Sequence, residues 1–203
     1  DGPGLIPGER FLGSLVEENL APDVQIRVHS GVYKLPSDAE RVFHAQLYEE
    51  INGIPRKKSD NFWSIYKHRN ELLVETEFPY TGLVKKGCLK LSLNSRIWDL
   101  YLDFKGHEAD PLEYPIDSLV LYYLTVINGD IMLHGSGVKH ARYGYVFSGV
   151  SGKGKTTIAK LWANSGATVI HDDRLIIRRA KDGFRMFNTP VYRNDTPSSS
   201  GIN

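Results

Sequence analysis

The stretch Gly149-Val150-Ser151-Gly152-Lys153-Gly154-Lys155-Thr156 constrains the fold more than any other part of this chain. It fits G-x-x-x-x-G-K-[ST] at every fixed position, a pattern whose mechanism requires a strand before it and a helix after it. Both flanks comply. Residues 142–148 have strand character, and residues 157–164 carry Ile158, Leu161 and Trp162 at helical spacing. Glycines at 149, 152 and 154 permit backbone angles closed to other residues and let N–H groups approach an anion closely. A helix opening at Lys155 adds its unpaired N–H groups and the positive end of its dipole. The Lys155 ammonium suits the β- and γ-phosphates of a nucleoside triphosphate, and the Thr156 hydroxyl suits one position on Mg²⁺. The residues expected around the triphosphate are Gly149, Ser151, Gly152, Lys153, Gly154, Lys155, Thr156 and Thr157.

The rest of the chain is read by periodicity. Residues 24–28 alternate and suggest a short strand after a Gly- and Pro-rich start. Residues 39–51 carry Val42, Phe43, Leu47 and Ile51 at spacing that predicts a helix, capped by Ser37-Asp38 and ended by Asn52-Gly53. Residues 62–104 read as antiparallel strands. Trp98, Leu100, Leu102 and Phe104 alternate with Asp99, Tyr101 and Asp103, a half-buried strand pattern. Phe62, Trp63 and Tyr66 lack interleaved basic residues and so read as packing residues rather than a base-stacking platform. Residues 116–128 are almost wholly apolar and predict a buried helix. Pro111 and Pro115 punctuate the chain just before it. The organisation expected is therefore an N-terminal α+β segment at 1–112 and a nucleotide-binding segment at 113–203. The polar stretch 195–201 reads as a tail.

Composition narrows the function classes. Twenty-five Lys and Arg against 24 Asp and Glu leave no general electrostatic case for a nucleic-acid surface. Cys88, the single cysteine, excludes an intrachain disulfide and a cysteine-based metal site. No apolar run approaches the ~18 residues needed to span a bilayer. No signal peptide is visible at the start of the sequence, and a cytoplasmic location is the expectation. The start at Asp1 rather than Met suggests either a fragment or residues missing from its beginning.

Two features frame the Gly-rich loop: His134-Gly135 before it, and Asp172-Asp173 after an apolar stretch at 167–171. Together with the loop, this order and spacing resembles the catalytic domain of HPr kinase/phosphorylase, over roughly residues 130–190. The resemblance implies an α/β fold with α+β features, built on a P-loop core of the HPr kinase/phosphoenolpyruvate carboxykinase type. It implies that Asp172 is the base taking the proton of a serine hydroxyl. It also implies that Asp173 helps Thr156 and Asp172 hold Mg²⁺, and that His134 sits beside the transferred phosphoryl group. Catalysis would then fall to Asp172, His134 and Lys155. His171 reads as a bystander able to orient a carboxylate. The chain departs from the family at Thr157, where an acidic residue is common, and it stops before the family's later metal- and substrate-docking elements.

The function expected is an ATP-dependent kinase using ATP and Mg²⁺. Its acceptor would be a serine hydroxyl of a protein or peptide, with homo-oligomerisation left open. A regulatory nucleotide-binding module without turnover, and a kinase of a small-molecule acceptor, are the rival readings.

Overall fold

The computed structural model of the protein describes residues 4–5, 8, 11, 21–78, 84–104 and 108–190. The tail expected at 195–201 and most of the N-terminal loop lie outside them. Two compact units divide the described residues, one holding 21–119 and the other 120–190.

The first unit is a six-stranded sheet. Its strands are β2 (Gln25–Ser30), β3 (Glu40–Ile51), β4 (Ile54–His68), β5 (Glu71–Glu77), β6 (Val84–Leu91) and β7 (Ile97–Phe104), in spatial order β2-β7-β6-β5-β4-β3. A short parallel pairing joins β1 (Gly4–Leu5) to β8 (Glu108–Ala109). Only β2 runs parallel to its neighbour within the six; the others are linked as antiparallel neighbours. The period-two pattern read from the sequence holds here. Trp98, Leu100 and Leu102 are fully buried, and they share that interior with Leu89, Leu91 and Val74. Cys88 lies buried in β6, and Phe43 packs on Trp63 across the β3–β4 pair.

The stretch 39–51 is a strand rather than a helix. Asn52 and Gly53 both take positive φ, 53° and 77°, and form a two-residue connection between β3 and β4. Asn-Gly is the favoured pair for such a primed hairpin turn, because its twist matches the flanking strands. The left-handed residues expected to end a helix instead reverse a strand. The apolar spacing of Val42, Phe43, Leu47 and Ile51 was compatible with either state. Pairing with β4 decided it, a tertiary effect that overrides weak local preference.

The second unit is built on β9 (Ile131–His140). β10 (Tyr143–Ser148) pairs along one side of it. The other side is shared by two strands: β11 (Thr168–His171) pairs with the second half of β9, and β12 (Arg174–Ala180) with the first half. The strand β13 (Gly183–Phe187) completes the sheet beyond β12. Every pairing is antiparallel.

Two helices have defined bounds among the described residues, α1 (Ile116–Asn128) and α2 (Lys155–Asn164). α1 matches the apolar stretch and ends at left-handed Gly129 (φ 66°), with the Asp130 N–H donating to the Thr125 carbonyl at 2.9 Å. It is not buried all round, since Tyr122 and Val126, one turn apart, are about half exposed. α2 buries Ala159 against Val138 and Ala167, with Phe147, Trp162 and Val169 around them. Leu161, expected on that face, points outward instead.

Among the described residues strand makes up 54% and helix 15%, so the expected α/β class with a P-loop core of the HPr kinase/phosphoenolpyruvate carboxykinase type is overturned. The reason lies in how the strands connect and pair. Strands after β3 are joined largely by tight hairpins, which bring antiparallel neighbours together without crossover helices. Only α2 lies between consecutive strands of the second sheet.

Candidate functional site

The loop 149–154 leaves the end of β10 and enters α2 at Lys155. Gly152 (φ 78°) and Gly154 (φ 82°) both adopt left-handed backbone, which costs an L side chain of any size. Gly154 is the N-cap residue and offers no side-chain cap, so the first N–H groups of α2 stay available to an external acceptor. Gly149, Ser151, Gly152, Lys153 and Gly154 are exposed, Lys155 and Thr156 are half-buried, and Thr157 points outward. The Lys155 ammonium folds back over the loop, donating to the carbonyls of Gly149 at 2.8 Å and Val150 at 3.2 Å.

Sheet register brings the other sequence-predicted residues to the same place. Ser148, the last residue of β10, pairs with Gly135 on β9. The Gly135 N–H in turn donates to the Asp173 carbonyl at 2.9 Å. Neighbouring strands are about 4.8 Å apart, so the mouth of the loop lies within about 10 Å of the acidic pair along the backbone. Gly135 has to be glycine, since a Cβ there would stand 2.9 Å from the Phe147 carbonyl oxygen.

The acidic pair occupies the bend where the chain passes from β11 to β12. His171 pairs with Gly137 and Arg174 with His134, which sets Asp172 against Ser136 and Asp173 against Gly135. A register shift between Val169 and His171 places the extra residue just before the bend. Such bulges re-aim side chains and are common beside functional sites. His171 closes the bend: its Nδ1 accepts the N–H groups of Asp173 and Arg174, both at 3.0 Å. It orients the pair through the backbone.

The two carboxylates have different surroundings. Asp173 is flanked by His134, whose Nδ1 lies 3.2 Å from Oδ1, and by Arg174, whose Nε lies 3.5 Å from Oδ2. His134 is 54% exposed and Asp173 18%, so the pair opens to solvent. Asp172 is buried and accepts a hydrogen bond from the hydroxyl of Ser136, which is fully buried. No cation contacts it among the described residues.

Alternation along β9 puts His134, Ser136 and Val138 on one face. Val138 touches α2 through Ala159. From Ala159 back to Lys155 is about 6 Å of helix, and from Val138 back to Ser136 about 6.6 Å of strand. The start of α2 and the side chains of Ser136 and His134 therefore lie at the same end of that face.

The loop, His134 and both aspartates, all named from the sequence, lie together in the structure. Ser136 and Arg174, not named from the sequence, join them. Both stand next to residues so named, and the alternation His134, Ser136, Val138 was the available signal for the first. Among the described residues, no group of three or more His, Cys, Asp or Glu side chains is placed to hold a metal ion. A cation at Thr156 and the acidic pair would meet hard oxygen donors, which suits Mg²⁺, an ion that retains waters and shares phosphate oxygens rather than filling an all-protein cage. No helix is long and apolar enough to cross a membrane among these residues. No protein-family model, characterised protein or solved structure matches the chain.

Proposed function

We propose that this protein binds ATP through residues 149–156 and transfers the γ-phosphoryl group to a hydroxyl, with serine in a protein or peptide as the acceptor. The observation that carries the reading is the register Ser148–Gly135–Asp173, which brings the mouth of a complete phosphate loop beside His134 and the acidic pair.

The chain's own groups divide the work. Backbone N–H groups of the loop and of the start of α2 cradle the β- and γ-phosphates. The Lys155 ammonium exchanges its two carbonyl partners for phosphate oxygens, a charge-assisted contact stronger than the ones it gives up. Thr156 and Asp173 are the residues to hold Mg²⁺, with Asp172 behind them. That ion supplies charge neutralisation on the phosphates. Asp172 accepts the serine proton as the serine Oγ bonds to Pγ. The bond from Pγ to the β–γ bridging oxygen breaks, and ADP leaves. Phosphoryl transfer asks mainly for positioning and charge stabilisation, which this arrangement offers.

Incubation with γ-labelled ATP, Mg²⁺ and a panel of serine-containing peptides and proteins tests the reading. Label should appear on a serine. ATP binding by calorimetry with no transfer to any acceptor would favour a regulatory module instead, the reading that Thr157 in place of an acidic residue supports.

A further inference from the structure

We infer that Ser136 is a positioning residue for Asp172, an inference that rests on the phosphotransfer reading above. Ser136 is fully buried in the middle of β9, yet among the described residues its hydroxyl makes no hydrogen bond to the backbone. Buried serines commonly satisfy themselves on nearby backbone groups. Here the Oγ–H donates instead to Oδ1 of Asp172, a residue 36 positions along the chain. A position needing only a small side chain between Gly135 and Gly137 would accept alanine.

The consequence falls on Asp172. A buried carboxylate is ordinarily paired with a cation or with several donors. Asp172 has one neutral donor, on one oxygen, among the described residues. Donation to Oδ1 fixes the rotation of the carboxyl group. Oδ2 is then the oxygen presented to a substrate proton, with no cation beside it among the described residues. Asp173 differs in just this respect, being compensated by His134 and Arg174. Ser136 thus sets Asp172 apart from the adjacent carboxylate of Asp173.

The test uses Ser136→Ala, Ser136→Thr, Asp172→Asn and the double variant Ser136→Ala/Asp172→Asn. ADP release from ATP and Mg²⁺, with water as acceptor, is measured alongside ATP affinity by calorimetry and a crystal structure of Ser136→Ala. Ser136→Ala should lower kcat about tenfold with KM for ATP unchanged, a part of the roughly 10²–10⁴-fold a general base contributes. Ser136→Thr, which keeps the hydroxyl, should recover most of the loss. The alanine change should have no further effect in the Asp172→Asn background, because its only route is through Asp172. The crystal structure should show the Asp172 carboxylate rotated from its place. Equal loss of kcat in both backgrounds, or an unmoved carboxylate in Ser136→Ala, would overturn the inference. A wild-type chain that binds no ATP would instead remove the phosphotransfer reading, and the carboxylate's position in the variant would still decide whether Ser136 holds it.

Discussion

The imidazole Nδ1 of His134 lies 3.2 Å from Oδ1 of Asp173, where the strand β9 meets the bend between β11 and β12. Arg174 reaches the other oxygen of the same carboxylate. Asp173 is therefore the solvent-facing, charge-balanced member of the acidic pair, and Asp172 the buried one held by a hydroxyl.

Asp173→Asn removes a hard oxygen anion from the proposed Mg²⁺ site while keeping side-chain size. Apparent Mg²⁺ affinity in the presence of ATP should fall on the order of tenfold, the low end for losing a group around a metal. Metal titration followed by nucleotide fluorescence measures it. Unchanged Mg²⁺ dependence would place the metal away from Asp173.

Asp172→Asn should leave ATP binding near normal and cut phosphotransfer by about 10²-fold or more, because amide replaces carboxylate at the proton-accepting position. Single-turnover transfer and calorimetry give the two numbers. A variant that transfers at the wild-type rate would dismiss Asp172 as the base.

Lys155→Ala should weaken ATP binding by about 10- to 150-fold, equivalent to about 1.5–3 kcal/mol for a hydrogen bond to a charged group. The fold should survive, since the ammonium contacts only two carbonyls of its own loop. Calorimetry on a variant of unchanged melting temperature checks both parts. Wild-type affinity would remove the phosphate-loop reading.

Gly135→Ala tests the framework. The added Cβ meets a backbone carbonyl at 2.9 Å, which cannot turn away as a flexible side chain would. Separating β9 from β10 at this point should cost about 1–3 kcal/mol, the usual range for overpacking a closely fitted site. Urea denaturation measures the loss. A variant as stable as wild type would mean that the two strands part easily there.

Cys88 sets a pH dependence. Burial, assisted by the Glu75 charge and opposed by Lys90, pushes its thiol from 9.0 up to about 12. The folded state thus holds the proton that the unfolded state releases. The associated stability is complete below about pH 9 and is lost as pH rises through the window from 9.0 to about 12. Cys88→Ala should flatten the alkaline decline of melting temperature over that window. Wild-type protein at pH 8 should also react with a thiol reagent only as fast as it opens. Rapid labelling of the folded chain would contradict the burial.

The sequence by itself determined the elements whose evidence is contiguous. The Gly-rich loop is legible because its glycines, Lys155 and Thr156 lie within eight residues at a fixed spacing. The alternation in β7 is legible because a strand's period reports the face it buries, and α1 as an apolar run of helical length, although it is not buried all round. Tertiary structure decided the rest. Residues 39–51 fit a helix locally and became β3 because β4 satisfies their backbone and Asn52-Gly53 turns the chain back. The class of fold changed with such decisions, since pairing partners are chosen over distances that no local window spans. The site followed the same rule. Ser136 and Asp172 are 36 residues apart, and they meet because β9 pairs with β11 and then β12, with a register shift before the bend. Residue types marked the candidate groups, and strand register chose which carboxylate is buried on a hydroxyl and which faces His134.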